Sequence, residues 1–324
     1  MVDQNIHSSS VGTSFQRTDL KDKVLGIAKY TADLSLPNML HARVLRSPHP
    51  HANILSIDVQ PALKMAGVHD ILTPFNVGVG KIAPDVPILD TKVRFVGDEV
   101  AAIAAVNLYE ADTAIDLIKI SYDVLPFSTN IDTSLEMGNL KIHAHGNIVN
   151  GGPIVEARGN VEEGFGQADY IVEDSFTTPD HHPASLEPRA ALASWDGARL
   201  TMWKPSRGIH ADKAILAAAL DVNPNNITVI GPVMGAGYGS KDETRTSILA
   251  ALLSIRTGRP VKLELNREEE FLAGRRRHST STKIKMGVKK DGTVTAVHVK
   301  TVMDTGAYLS SGPGVVRRAG QGAL

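Results

Sequence analysis

Two periods of apolar and polar residues alternate along this chain, and the changes of period mark its elements. Val100–Val106 is a continuous apolar run, the signature of a strand buried on both faces. Leu40–Leu45, Ala52–Val59, Val68–Leu72, Val93–Phe95 and Ile120–Val124 also read as strands. Pro61–Ala66 reads as a short helix stopped by Gly67. Leu108–Lys119 has helical spacing, with Ala111, Ala114, Ile115 and Ile118 on one side. These elements predict an α+β domain over 18–126, opened by a cap at Thr18-Asp19 after a polar lead-in, 1–17. Residues 127–165 are rich in Gly, Asn and polar side chains and read as a linker.

Beyond it, over 166–324, the pattern predicts a second, mixed α/β unit. Its strands are Tyr170–Thr177, Ala190–Trp195 and Leu200–Trp203, followed by an Ala-rich helix, Ile209–Leu220. A β–loop–α–β unit then runs through Ile227–Val233, helix Glu243–Arg256, Gly258 and strand Val261–Asn266, long enough for a crossover. Lys283–Lys289 and Val294–Thr301 form a predicted hairpin across Lys290-Asp291-Gly292.

The candidate chemistry lies in the loop of that unit. Gly235, Gly237 and Gly239 alternate there with Ala236, Tyr238 and Ser240, between a strand and a helix N-terminus. Glycine lets another group approach the peptide closely, and backbone N–H groups at such a turn favour an anion or polar oxygen. Lys241 follows Ser240 and precedes Asp242, which does not fit a phosphate-binding P-loop. Counting from Gly235, the sixth position is Ser240, which does not fit a dinucleotide fingerprint. A plain strand-to-helix connection with no ligand is the alternative reading of the loop by itself.

Composition narrows the classes. The 324 residues are 42% hydrophobic and 21% charged, as in a soluble globular protein, with room for two domains. A formal net charge of −1 predicts no strong pull toward nucleic acid or membrane, and no apolar run is long enough to span a bilayer. The polar N-terminus lacks a secretory core, so a cytoplasmic location is the expectation. There are no cysteines, which excludes iron–sulfur ligation and cysteine nucleophiles in this chain. Adjacent His181 and His182 point in different directions on a strand and make poor co-ligands, so no metal-ligating residue is assigned. Arg275-Arg276-Arg277-His278 reads as a solvated turn or subunit contact, with contact to a cofactor phosphate as the lesser alternative.

Several segments, in order, resemble one family. They are Asp19-x3-Lys23-Val24-x-Gly26-x-Ala28-x-Tyr30-x2-Asp33, Leu45-Arg46-Ser47-Pro48-His49-x-His51-Ala52 and Val96-Gly97-Asp98-Glu99-Val100-Ala101. Further along come Glu187-Pro188-Arg189-Ala190 with Trp195-Asp196-Gly197, Met234–Lys241, and Asp304-x-Gly306-Ala307-Tyr308 with Gly312-Pro313. Together they resemble the N-terminal part of the molybdenum-cofactor-binding large subunit of the xanthine dehydrogenase / aldehyde oxidase family of molybdenum hydroxylases. That resemblance implies an α+β fold: an N-terminal hammerhead-like α/β domain, then the first part of a mixed α/β molybdopterin-binding domain.

The resemblance also implies site residues. Gly237, Tyr238 and Gly239 would lie against the molybdenum centre, with Tyr238, where the family has Phe, also facing substrate. Ser240 and Ala236 stand where the family has glycine. Arg207, in Pro205-Ser206-Arg207-Gly208, stands where the family often has a glutamine bonded to the metal's oxo group; a solvated loop arginine is the alternative. Asp242 or Glu243 would take the place of a substrate-holding glutamate, or simply be an acidic pair in a helix's first turn.

The matching segments stop near Gly320–Leu324, inside the first cofactor-binding domain. The general-base glutamate and most pterin contacts of the family lie beyond, so no catalytic residue is assigned in this chain. The cofactor expected is molybdenum–molybdopterin in a dinucleotide form, shared with another chain. The expected partners are a C-terminal molybdopterin-binding polypeptide, an iron–sulfur subunit, an FAD subunit and a small-molecule substrate: a heteroaromatic, an aromatic carboxylate or an aldehyde. The carbon monoxide branch is disfavoured, since it uses a cysteine loop. The competing function is a truncated, non-catalytic homologue serving assembly.

Overall fold

The computed structural model describes residues 12–78, 80–136, 140–144, 146–242 and 244–322. Most of the predicted lead-in, and Glu243 at the predicted start of its helix, lie outside them. Helix α1 (Leu20–Val24) precedes strands β1 (Leu40–Arg46) and β2 (Ala52–Asp58), helix α2 (Gln60–Leu63) and β3 (Val68–Leu72). The short strands β4 (Lys81–Ala83), β5 (Val86–Pro87) and β6 (Lys92–Val93) lead to β7 (Glu99–Ala105), α3 (Leu108–Leu117) and β8 (Lys119–Val124). Residues 127–165 include two short helices, α4 (Ile131–Glu136) and α5 (Val161–Gly166). Asn160 starts α5 by accepting from the N–H groups of Glu162 and Glu163.

The chain continues through β9 (Tyr170–Thr178), β10 (Ala190–Trp195), β11 (Leu200–Trp203), α6 (Ile209–Leu220) and β12 (Ile227–Ile230). Helix α7 (Arg245–Thr257), β13 (Val261–Glu264), α8 (Arg267–Ala273), the hairpin β14 (Thr280–Val288) and β15 (Val294–Met303), and α9 (Gly312–Gly322) complete it. Strand β12 is shorter than its apolar run because Gly231 and Pro232 follow, and proline has no N–H for the ladder. Helix α7 stops at Gly258, whose φ of +64° closes the last turn.

One seven-stranded sheet, in the order β12-β11-β10-β13-β1-β7-β3, holds strands from both predicted units. The junction is parallel pairing of β1 with β13, Leu40 opposite Val261 and Ala42 opposite Leu263. Strand β7 is buried at every position. Its Ala102 and Ala104 face the core under α6 and α7, with Leu263, Ile248 and Leu249. Ala101 and Ile103 face the opposite layer, α2 and α3, with Ala62 and Ala114. Covering both faces removes the polar half of the usual strand alternation. A second sheet, β15-β14-β9, and a third, β6-β2-β8, flank it. Among the described residues no helix is long and apolar enough to cross a membrane.

A buried ionic seam ties the two ends of the chain together. Arg46 donates to Glu99 at 3.1 Å and to Glu269 at 3.3 Å. Arg245 pairs with Glu99, and with Asp98 at 3.1 Å. The Tyr308 hydroxyl donates to Asp98 at 3.0 Å. Burial raises the Asp98 carboxyl above its ordinary range, only partly offset by Arg245. Burial acts the same way on Glu99, but Arg245 and Arg46 together outweigh it and hold Glu99 below its ordinary range. Burial, with Asp98 adding to it, raises the Tyr308 phenol.

The sign of the Glu99 effect is testable. A depressed folded-state pKa contributes stability that is present above the unfolded value, about 4.3, and is lost as pH falls through the folded value. Comparison of chemical denaturation at pH 7 and at successive steps below pH 4.5 is expected to show a shallower acid loss for Glu99→Gln than for the parent. Parallel acid limbs would remove Glu99 from the seam's pH dependence.

Candidate functional site

Strands β11, β12 and β13 end, and antiparallel β10 begins, at one edge of the large sheet. The glycine loop crosses this edge after β12. In open α/β sheets the carboxyl ends of parallel strands are where loops are free to meet ligands.

The loop is held from inside. The Glu187 carboxylate accepts from the N–H of Gly235 at 2.9 Å and of Ala236 at 3.3 Å. The anion expected at these N–H groups is therefore a side chain of the protein itself. Buried Lys241 donates to the carbonyls of Glu187 at 2.6 Å and Pro188 at 2.8 Å, so both ends of the loop close on one short segment. Burial pushes the Lys241 ammonium below its usual range, against the pull of Glu187 and Glu270. A Cβ on Gly235 would sit 3.1 Å from Glu187 and 3.2 Å from the Tyr30 ring, which explains the absence of a side chain there.

Gly237–Ser240 form a tight turn, closed by the Ser240 N–H donating to the Gly237 carbonyl at 2.9 Å. Both central residues have positive φ, +49° at Tyr238 and +87° at Gly239. Such values are ordinary for glycine and rare for a bulky residue, and strained positions of this kind concentrate at functional sites. The surroundings enforce the turn. Ser240, buried where the family resemblance has glycine, donates its hydroxyl to the Gly237 carbonyl at 2.7 Å, and Ser185 donates to the same oxygen at 2.9 Å. The two hydroxyls are 2.9 Å apart.

Arg277 closes the other side. Its Nη2 donates to the Tyr238 carbonyl at 2.6 Å. Its Nη1 lies 3.2 Å from where a Gly239 Cβ would be. The Arg277 backbone exchanges both hydrogen bonds with His181, which anchors it. His182 stacks near Phe271, with ring centroids 5.0 Å apart, and accepts from the Ala184 N–H at 3.0 Å. Burial, then Arg189, hold the His182 imidazole below its usual pKa. The expected solvated arginine turn is thus a set of internal contacts. Arg275 reaches Asp242 at 3.0 Å, Arg276 pairs with Asp180, and Arg277 holds the loop.

Beneath the loop, Arg189 donates through Nε to the Ser240 carbonyl at 3.1 Å and through Nη1 to Glu270 at 3.0 Å. The Arg189 and Glu270 side chains are 4% and 0% exposed.

Two expected site residues meet each other: Arg207 Nε lies 2.8 Å from Asp242 Oδ1. Asp242 is thus shared between Arg207 and Arg275. Arg207 projects from the turn after β11, its side chain 74% exposed. Tyr238 stands out from the loop, 68% exposed, so water satisfies its hydroxyl. The N–H groups of Gly237, Tyr238 and Gly239 make no hydrogen bond among the described residues. Sequence patterns assigned no role to Ser185 or Glu187 and read Arg277 as part of a solvated turn or subunit contact, whereas all three hold the loop from distant segments. The local signals were the Glu187-Pro188-Arg189 triplet and the Arg275-Arg276-Arg277 run.

The model for the aldehyde oxidase and xanthine dehydrogenase a/b hammerhead domain matches residues 25–126, and that for the molybdopterin cofactor-binding domain matches residues 142–323. The chain belongs to this molybdopterin-binding family. It is 35% identical over 315 residues to the nicotinate dehydrogenase large molybdopterin subunit of Eubacterium barkeri, covering 95% of this chain and 74% of that protein. It is 36% identical over 306 residues to a probable xanthine dehydrogenase subunit of Bacillus subtilis, covering 93% of this chain but 41% of that protein. The aldehyde oxidoreductase of Desulfovibrio gigas superposes with a TM-score of 0.84 at 27% identity, covering 95% of this chain and 36% of that one. The architecture is therefore a hammerhead domain followed by a molybdopterin-binding domain. The chain spans about two-fifths of the Bacillus subtilis relative.

Proposed function

We propose that this chain supplies one wall of a molybdenum–pterin site that hydroxylates a heteroaromatic, aromatic or aldehyde substrate, with water as the source of oxygen. The observation that carries the reading is the turn at Tyr238. Three successive N–H groups, on Gly237, Tyr238 and Gly239, find no acceptor among the described residues, at a turn where Tyr238 is exposed and both glycines are half-buried. Meanwhile Glu187, Ser185, Ser240 and Arg277 fix the turn that presents them. A rigid, donor-lined surface suits the polar ligands of a metal–pterin group, because fixed donors need no reorganisation when charge develops nearby.

When bound, that group supplies the redox centre that accepts the substrate's electrons. The chain's own residues position. Gly237 and Gly239 keep the wall thin, and Arg277 fixes the Tyr238 carbonyl so that the ring keeps one direction toward substrate. Arg207, its Nε turned to Asp242, has its outer guanidinium edge in solvent, where it can pair with a carboxylate. An aromatic carboxylate is accordingly the substrate we favour, and the Eubacterium barkeri relative is named for nicotinate, a compound of that class. Asp242 acts on substrate through Arg207, since arginines engage both its oxygens.

The remaining contacts to the pterin, in a dinucleotide form, and the general base come from a C-terminal molybdopterin-binding polypeptide. Iron–sulfur and FAD groups sit on further subunits, and the complex is cytoplasmic. A second reading, an assembly subunit with no metal, draws on the exposure of Tyr238. Molybdenum content of the purified complex separates the two. In the complex, Tyr238→Ala is expected to lower kcat/KM about tenfold, equivalent to about 1.4 kcal/mol, with an unchanged thermal midpoint. Unaltered kinetics would remove Tyr238 from the site.

A further inference from the structure

The run Arg275-Arg276-Arg277 meets the glycine loop through alternate residues. Arg277 donates to the Tyr238 carbonyl and Arg275 reaches Asp242 Oδ2 at 3.0 Å, whereas Arg276 between them pairs with Asp180. Alternation of this kind belongs to extended backbone, whose successive side chains leave on opposite sides. Arg277 fixes the turn at Tyr238. Arg275 acts at a different point, the carboxylate that Arg207 also engages.

Charge decides what Arg275 contributes there. Arg207 Nε lies 2.8 Å from Asp242 Oδ1, and taken alone that pair is neutral. A carboxylate arriving at the outer edge of Arg207 would meet the attraction of one guanidinium and, just behind it, the repulsion of Asp242. Arg275 occupies the other oxygen of the same carboxylate, so two guanidinium groups share one negative charge. Neither arginine forms an ion pair with a second carboxylate among the described residues. The three side chains together carry one surplus positive charge. Its open end is Arg207, because the Arg275 and Asp242 side chains are 24% and 21% exposed against 74% for Arg207.

Arg275 is itself anchored. Its Nε donates to the Ser310 hydroxyl at 3.1 Å. Ser310 has a φ of +45°, and the residues before it are pinned: the Leu309 N–H donates to Asp85 at 2.8 Å and the Tyr308 hydroxyl to Asp98 at 3.0 Å. A left-handed serine persists only where its surroundings fix it. A charge held in place before a ligand arrives costs no reordering when the ligand binds.

We propose that Arg275 determines specificity at this site: by occupying the second oxygen of Asp242, it leaves Arg207 with the surplus charge that selects a carboxylate-bearing aromatic over its neutral counterpart. This rests on the proposed function, in which Arg207 receives the substrate carboxylate. Arg275 does not touch substrate. It is a positioning residue that acts through Asp242 and Arg207.

The test titrates benzoate and benzamide, alike in shape and unlike in charge, into the purified complex and reads each dissociation constant by calorimetry. The parent is expected to bind benzoate about tenfold more tightly than benzamide, with the difference shrinking as sodium chloride is added. Arg275→Gln is expected to abolish that preference by weakening benzoate alone. Arg275→Lys, which keeps the charge, is expected to retain most of it. Unchanged benzamide binding marks a site that is still folded.

A benzoate preference that survives Arg275→Gln but is lost in Arg207→Gln overturns the proposal and leaves Arg207 as the carboxylate's partner. Equal weakening of both probes by Arg275→Gln also overturns it, because support of the fold acts on charged and neutral ligands alike. So does an Arg275→Lys variant no better than Arg275→Gln. A parent with no preference for benzoate, unchanged by Arg207→Gln, sinks the carboxylate reading of Arg207 and the role of Arg275 with it.

Discussion

Glu270→Ala is expected to destabilise the protein by roughly 3–5 kcal/mol, the cost of leaving one member of a buried ion pair without its partner. The Arg189 guanidinium is 4% exposed, and Glu270 is the carboxylate paired with it. The same Glu270 oxygen accepts from the Arg189 N–H at 3.2 Å, so the substitution also frees a buried backbone donor. The consequence reaches the candidate site. Arg189 Nε holds the Ser240 carbonyl, and Ser240 closes the Tyr238 turn. Urea unfolding followed by far-ultraviolet circular dichroism measures the loss. A midpoint within error of the parent would show that the pair contributes no more than a surface contact.

Arg245→Ala is expected to cost a similar amount, roughly 3–5 kcal/mol at neutral pH, with a different signature. Arg245 faces two adjacent buried carboxylates, Asp98 and Glu99, and its guanidinium lies 5.4 Å from the centroid of the Tyr308 ring. Removing it leaves Glu99 with Arg46, and Asp98 with the Tyr308 hydroxyl and the Arg94 N–H. Both carboxyls then rise in pKa in the folded state. A raised carboxyl binds its proton more tightly folded than unfolded, so stability recovers as pH falls through the raised value. The gap between parent and Arg245→Ala is therefore expected to narrow between pH 7 and pH 5. A gap constant over that range would mean that Arg245 acts through packing on Tyr308 alone.

Much of the architecture was legible as local pattern. The apolar run at Val100–Val106 marked a strand covered on both faces, and β7 is that strand, displaced by one residue to Glu99–Ala105. Helix α7 begins two residues after the expected position and ends at the expected glycine, Gly258. The hairpin β14–β15 turns at Lys290-Asp291-Gly292 as read. These features depend on the spacing of neighbours, which a periodic pattern encodes directly.

The candidate site divides in the same way. Gly237, Tyr238 and Gly239 stood out because glycine spacing is local. Their support did not, because Ser185, Glu187 and Arg277 come from segments that only folding brings to the loop. The anion that the loop's N–H groups favour proved to be the protein's own Glu187, since a carboxylate fixed nearby is held at a far higher effective concentration than any solute.

By itself, then, the sequence determined most of the strands, helices α3, α6 and α7, the glycine loop and the family motifs along the chain, while α4, α5, α8 and α9 carried no local pattern that marked them. The tertiary structure alone decided that β1 and β13 join both units in one sheet, that Arg207 answers Asp242, and that Arg277 clamps Tyr238. The physical reason is range. Backbone propensity and side-chain period act over a few residues, whereas pairing of distant strands and charges is selected by which arrangement buries the most apolar surface with every buried charge answered.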